Sequence, residues 1–181
     1  MNILSLHVSE EERRPLVGFF VCCLVDSQWQ AVNIAGRLQP AVDAGADISV
    51  LFASRALRET ETSPAVSLLD RTLGGLNALD WPGLGLFLGA GRIVEMFRDR
   101  NQFRIDDDIA RRLRAFGIPR SRCANLARRL VQGEILLALG SAELNHAIHA
   151  EDVFQSTGVT DVVVSSSMPE RVADASPILA F

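Results

Sequence analysis

An α+β fold is predicted by one phrase that the chain uses twice. LVGFFVCCLV, Leu16 to Val25, is a continuous apolar run rich in Val and Phe; a helical stretch closed by Gly45 and a second apolar stretch, DISVLFAS, follow it. EILLALGS, Glu134 to Ser141, is followed in the same way by AELNHAIHAEDVFQSTG and TDVVVSS. From Ser27 to Gly45 is 18 residues (45 − 27) and from Ser141 to Gly158 is 17 (158 − 141), and both units pass from Gly through Asp into the last strand, as GADISV and GVTDVVV. Two such units joined end to end through right-handed crossovers pack as a four-stranded antiparallel sheet with both helices on one face, the ferredoxin-like arrangement. A small doubly wound parallel sheet is the rival, but four short strands give it few partners.

Each element has its own local reason. Pro15 and Asp26 bound the first strand, and Asp26 and Ser27 are suited to accept from the free amides of the helix that follows. Trp29, Val32, Ile34, Ala35, Leu38 and Val42 form that helix's apolar side. The connector from Arg55 to Gly133 is far too long for a turn and must carry structure of its own. Within it RALRETETSP reads as a polar loop, and AVSLLDRTLGGLNAL has helical spacing broken at Gly74 and Gly75. DDDIARRLRAFG predicts an amphipathic helix, with Asp106, Asp107 and Asp108 at its positive end and Ile109, Leu113 and Phe116 along one side. IPRSRCANLARRLVQGE predicts another, with Pro119 in the first turn, Leu126 and Leu130 inside and Gly133 as terminator. The resulting organisation is an N-terminal segment (1–15), a single domain (16–166) and a C-terminal tail (167–181). The domain divides into a first unit (16–54), a long helical, Gly-rich insertion (55–133) and a second unit (134–166).

Composition narrows the function. With 181 residues, 48% hydrophobic and 22% charged, the chain can bury a sizeable core. A formal charge of -4 provides no global basic field, so no nucleic-acid partner is expected. Cys22, Cys23 and Cys123 suit neither a disulfide framework nor a paired-cysteine zinc site, and they read as reduced core thiols. MNILSLHVSEEERRP lacks the apolar core of a secretory signal, which leads to an expected cytoplasmic location.

Three stretches together resemble the bacterial heat-induced or general stress protein family: VGFFVCCLVDSQWQAVNIAGRLQPAVDAGADISVLF, the central GLNALDWPGLGLFLGAGRIVEMF, and AFGIPRSRCANLARRLVQGEILLALGSAE. The shared features are a Gly-rich apolar middle with a Pro-Gly-x-Gly step and a Gly-Ile-Pro that opens a helix ending in Gly before a strand. The resemblance covers most of Leu16 to Ser166 and brings no catalytic residues with it. This chain departs from the all-small glycine segment by carrying Phe87, Arg92 and Glu95.

WPGLGLFLGAGRIVEMF admits several chemistries. Eleven uncharged residues, Trp81 to Gly91, are too few to span a bilayer. Gly83, Gly85, Gly89 and Gly91 could offer amides to a phosphate or nucleotide, although no Gly-Lys-Ser/Thr follows them. Close packing is the third option, with Trp81, Leu84, Leu86, Phe87 and Leu88 covered by the helices around Leu113 and Leu126, by a second copy, by another protein or by a bilayer surface. His146 and His149 lie three residues apart with Asp152 three beyond, a spacing able to hold a metal on one helix face but without an obvious third nitrogen or sulfur ligand. The serines of VVVSSSMPE have no nucleophile elbow and no positioned base, and an apolar strand raises the thiol pKa of Cys22 and Cys23. Arg111, Arg112, Arg114, Arg120, Arg122, Arg128 and Arg129 read as solvated helix faces.

The sequence therefore leads to an expected non-catalytic cytoplasmic stress-associated protein, without a cofactor, acting through protein or peripheral membrane contacts of its Gly-rich insertion and forming a homo-oligomer. The alternatives are a metal-dependent enzyme or metal-binding protein centred on His146 and His149, and a phosphate-binding module at Gly83 to Gly91.

Overall fold

The computed structural model describes residues 18–54, 63–81, 83–98, 109–159 and 161–167. The N-terminal segment with His7, the RALRETETSP loop up to residue 62, Asp106 to Asp108 and the tail beyond residue 167 lie outside the described residues.

The strands are β1 (Gly18–Val25), β2 (Asp47–Ala53), β3 (Asn77–Trp81), β4 (Gly85–Ala90), β5 (Ile135–Ser141) and β6 (Val163–Ser167). The helices are α1 (Gln28–Asp43), α2 (Pro64–Thr72), α3 (Arg92–Arg98), α4 (Ile109–Ala115), α5 (Arg120–Gln132) and α6 (Leu144–Ser156). All six strands form one antiparallel sheet in the order β3-β4-β2-β5-β1-β6. The four strands of the two repeated units are contiguous in it, and β5 lies between β1 and β2, pairing Leu137 with Cys23 on one side and with Val50 on the other.

Two expectations change. The sheet has six strands rather than four, because the insertion supplies β3 and β4 as a hairpin at one end. The helical spacing expected across AVSLLDRTLGGLNAL, broken at Gly74 and Gly75, holds only ahead of those glycines: α2 stops at Thr72, Asn77–Trp81 is strand, and the Asp70 carboxylate accepts from Leu76 N–H at 2.6 Å, tying down the chain as it leaves.

Helices also cover both faces of the sheet. Val21, Cys23, Val25, Ile135, Leu137 and Leu139 point into a core shared with α1, α2 and α6. Phe20, Cys22, Leu24, Leu136 and Ala138 point the other way, into a core with α3, α4 and α5. Successive strand residues face opposite sides, so a strand apolar at every position requires cover on both. The second cover comes wholly from the insertion, where Phe116 meets the Phe20 ring edge-on at 4.5 Å.

Helix boundaries are largely as the sequence dictates. α5 ends at Gly133, which adopts φ 108° and lets the Glu134 amide donate back to Arg129 O at 3.1 Å. α1 differs in its facing: Ala31, Ile34, Ala35, Leu38 and Ala41 are its buried residues, whereas Trp29 is 59% exposed. Ser27 occupies the N-cap position, but its side chain makes no capping bond.

Phe87 and Leu86 are neighbours on β4 that face opposite sides, the first fully buried and the second 43% exposed. Phe87→Ala should lower unfolding stability by about 3–5 kcal/mol, the range for emptying a buried aromatic site, while Leu86→Ala costs about 1 kcal/mol or less. Urea denaturation of the two variants checks this; equal losses would contradict the assigned strand register.

Candidate functional site

The Gly-rich segment is the β4 half of a hairpin. Leu84 N–H donates to Trp81 O at 3.0 Å and closes the turn, and β4 then returns along β3 with Leu79 opposite Phe87. This register divides the five proposed contact residues. Trp81 and Phe87 are core residues in one cluster with Leu113 and Leu126, and the Trp81 ring sits 5.9 Å from Phe87 and 5.2 Å from Phe97. Arg112 on α4 closes over the outside of Trp81, its guanidinium carbon 4.6 Å from the ring centroid, and donates to the Phe97 carbonyl. Leu88 packs on the opposite core and is partly buried. Leu84 and Leu86 are left outside, 37% and 43% exposed.

The four glycines divide in the same way. Gly83 and Gly85 flank the turn in open space. Gly89 and Gly91 are places of close approach: a Cβ on Gly89 would lie 2.9 Å from Val50 O, and one on Gly91 would lie 2.2 Å from Ile48 O at a φ of 75°. β2 thereby comes against the start of α3, where its own side chains take the amides a phosphate would need. Ser49 Oγ accepts from Ile93 N–H at 3.2 Å and donates to Asp47 Oδ1 at 3.0 Å, and the same carboxylate oxygen accepts from Arg92 N–H at 3.4 Å. An internal carboxylate thus occupies the anion position at this helix end. Burial raises the Asp47 pKa above its ordinary 3.8, although the Ser49 hydroxyl, the Arg92 amide and the Arg92 charge oppose the shift.

On α6 the two histidines serve different partners. His146 Nδ1 is 2.8 Å from Ser141 Oγ, and its Nε2 is 3.7 Å from Glu143 Oε2. His149 Nε2 is 3.4 Å from Arg37 O across the groove between α1 and α6. Arg37, His149, Asp152, Gln155 and Ser156 line that open groove, but His146 does not. The three proposed metal ligands therefore do not converge, and no group of three or more His, Cys, Asp or Glu able to hold a metal occurs among the described residues.

The pair Ser141 and His146 escaped the sequence reading, which sought a base for the serines at the other end of the second unit. Its signal was a Ser-x-Glu-x-x-His spacing across the strand-to-helix junction, GSAELNH.

No family model, curated protein or solved structure matches this chain.

The remaining reactive groups are held in structural contacts. Burial pushes the Cys23 thiol up to about 12, and it pushes the Cys22 thiol far above its ordinary range with help from Cys23, Asp161 and Cys123. Cys123 Sγ lies 3.3 Å from Ile118 O. The arginine set is dispersed: Arg112 covers Trp81, Arg122 and Arg129 both pair with Asp161, Arg129 also pairs with Glu134 at 2.6 Å, and Arg128 bonds Asn125 and Gln132 on its own helix. Among the described residues no helix is long and apolar enough to cross a membrane.

The raised Asp47 pKa has a definite sign in a stability measurement. The folded state holds this proton more tightly than the unfolded state does, so the contribution is full at low pH and is lost as pH rises through the folded value. Asp47→Asn removes the titration while keeping an acceptor oxygen. The stability of Asp47→Asn minus that of wild type should rise as pH increases from 3.8, the ordinary aspartate value, toward neutrality. A flat or falling difference in denaturation at a series of pH values would show that Asp47 is not held as described.

Proposed function

We propose that this chain is a cytoplasmic stress-associated protein, as its resemblance to the general stress protein family implies, and that it acts through contacts made by the β3–β4 hairpin, the first occupant being a second copy of itself. The observation that carries this reading is the exposure of Leu84 and Leu86 at 37% and 43%, on a hairpin whose other large apolar side chains are covered by the chain itself. Asp80 lies opposite Leu86, on the sheet face where Leu88 packs into the core under α1 and α2, so Leu86 continues that apolar face outward beyond its helical cover. β3 is the terminal strand of the sheet and, among the described residues, pairs only with β4. An apolar pair beside such an edge suits a symmetric contact in which each copy covers the other's leucines and the edges approach.

The same proposal takes β2, β5, β1 and β6 as a ferredoxin-like core of two interleaved units. What supports it is their contiguity in the sheet and the placement of α1 and α6 over one face. In this reading the insertion adds both a contact hairpin at one end and a helical layer on the other face.

Light scattering tests the reading. Wild type should scatter as a dimer or larger at micromolar concentration, and Leu86→Asp should scatter as a monomer with its unfolding midpoint little changed. A wild-type monomer indistinguishable from a soluble, equally stable Leu86→Asp variant would remove the hairpin from consideration.

A further inference from the structure

A second site, independent of the hairpin, stands where β5 turns into α6. Ser141 is the last residue of β5; the chain passes through Ala142 and Glu143 and enters α6 at Leu144. The strand fixes Ser141 through its pairing with Phe19, and the first turns of α6 carry His146 back over it. Ser141 Oγ accepts from Glu143 N–H at 3.1 Å and stands 2.8 Å from His146 Nδ1. With the hydroxyl as donor to Nδ1, the imidazole carries its hydrogen on Nε2, which faces the Glu143 carboxylate at 3.7 Å. That tautomer leaves Nδ1 as the acceptor of the Ser141 hydroxyl and presents Nε2–H toward the Glu143 carboxylate, 3.7 Å away.

We propose that Ser141 is a nucleophile toward activated acyl esters, with His146 as its general base and Glu143 as a positioning residue for the imidazole. Geometry satisfies the first requirement for such a pair, hydrogen-bond contact between nucleophile and base. Access satisfies the second, since Ser141 is partly exposed and the residues Ala142 to Asn145 beside it are exposed. A third element lies in α6 itself: its N-cap residue, Glu143, makes no side-chain capping bond, and the first-turn amides of a helix have no acceptor within it. Amides at a helix start point back toward its N-terminal side, the side from which the chain arrives from Ser141, and are of the kind that can receive a developing oxyanion.

The chemistry balances without a co-reactant. As Ser141 Oγ bonds to the acyl carbon, its proton passes to His146 Nδ1. The tetrahedral adduct expels the alcohol or phenol oxygen with its electron pair, and that oxygen takes the proton from Nδ1. Water, deprotonated in turn by His146, releases the carboxylic acid and restores the hydroxyl. The exposed setting of residues 142–145 favours small acyl groups on good leaving groups over long chains that need an enclosing pocket.

The probe is p-nitrophenyl acetate, with phenolate release followed optically and the acetylated residue located by peptide mass mapping. Ser166, which is exposed, serves as an internal reference serine in the same folded molecule. Ser141 should acetylate at least about tenfold faster than Ser166, and His146→Gln should remove most of that advantage while leaving Ser166 unchanged, because a positioned base contributes roughly 10²–10⁴-fold. Glu143→Gln should give a smaller loss at Ser141. Should His146→Gln fail to fold, the wild-type ratio and Glu143→Gln still decide the matter. Equal labelling of Ser141 and Ser166, or a folded His146→Gln variant that labels Ser141 at the wild-type rate, would overturn the assignment and leave the bond as a turn-forming contact.

Discussion

The whole architecture follows from two strands that have no polar side. GFFVCCLV and ILLAL are apolar at every position, and a strand offers alternate residues to opposite faces. Burying a Phe or Leu side chain contributes about 1.5–3 kcal/mol, so leaving Phe20, Leu24 and Leu136 open to water would forfeit several such terms at once. The two repeated units can cover one face of the sheet only, because both of their helices lie there. The insertion is thus a structural requirement of the central strands as well as an addition to them.

Its internal design serves that cover. Gly89 and Gly91 allow β4 and the start of α3 to come against the β2 backbone, and Ser49 with Asp47 then fastens α3 by its first amides. Further out, Arg112 ties α4 to Trp81 and to the Phe97 carbonyl. Arg129 and Arg122 converge on Asp161, so α5 is joined to the segment that leads into β6. These polar ties border the second core, and its interior is left to Leu113, Phe116, Leu126 and Leu130.

Much of this was legible in the sequence. The repeat marked β1, α1, β2, β5, α6 and β6, and Gly45, Gly117, Gly133 and Gly158 marked the ends of helices, because these signals are local. The uninterrupted apolar character of LVGFFVCCLV also carried the news of two-sided burial, yet a four-stranded sheet with a single helical layer could not honour it. The hairpin was harder to see. GLGLFLGAG has an alternation that glycines blur, and its strand character comes from pairing with β3 and β2, which no local propensity records. Whether Trp81 is covered by this chain or by a partner stayed open in the sequence, because its cover, Arg112 and Phe97, lies in other elements. At the candidate sites the difficulty was direction: His146 and His149 share a helix, but one turns to Ser141 and the other to Arg37, and spacing along a helix says nothing of what approaches each flank.

Function, on this account, lies in what the cores leave over. Leu84 and Leu86 project from a hairpin whose remaining large apolar side chains are covered within the chain, and Ser141 stands at the partly exposed end of a strand buried from Ile135 to Leu139. Both features are held by the same double-faced sheet, so its unity is the claim on which the rest stands. Native-state hydrogen exchange tests that unity directly. The account predicts that amides of Leu137 in β5, Val21 in β1 and Leu130 in α5 exchange only through one shared opening with the full unfolding free energy. Exchange of the α5 amides through a separate opening of much lower free energy, while β1 and β5 remain protected, would show that the insertion is a detachable layer and would contradict it.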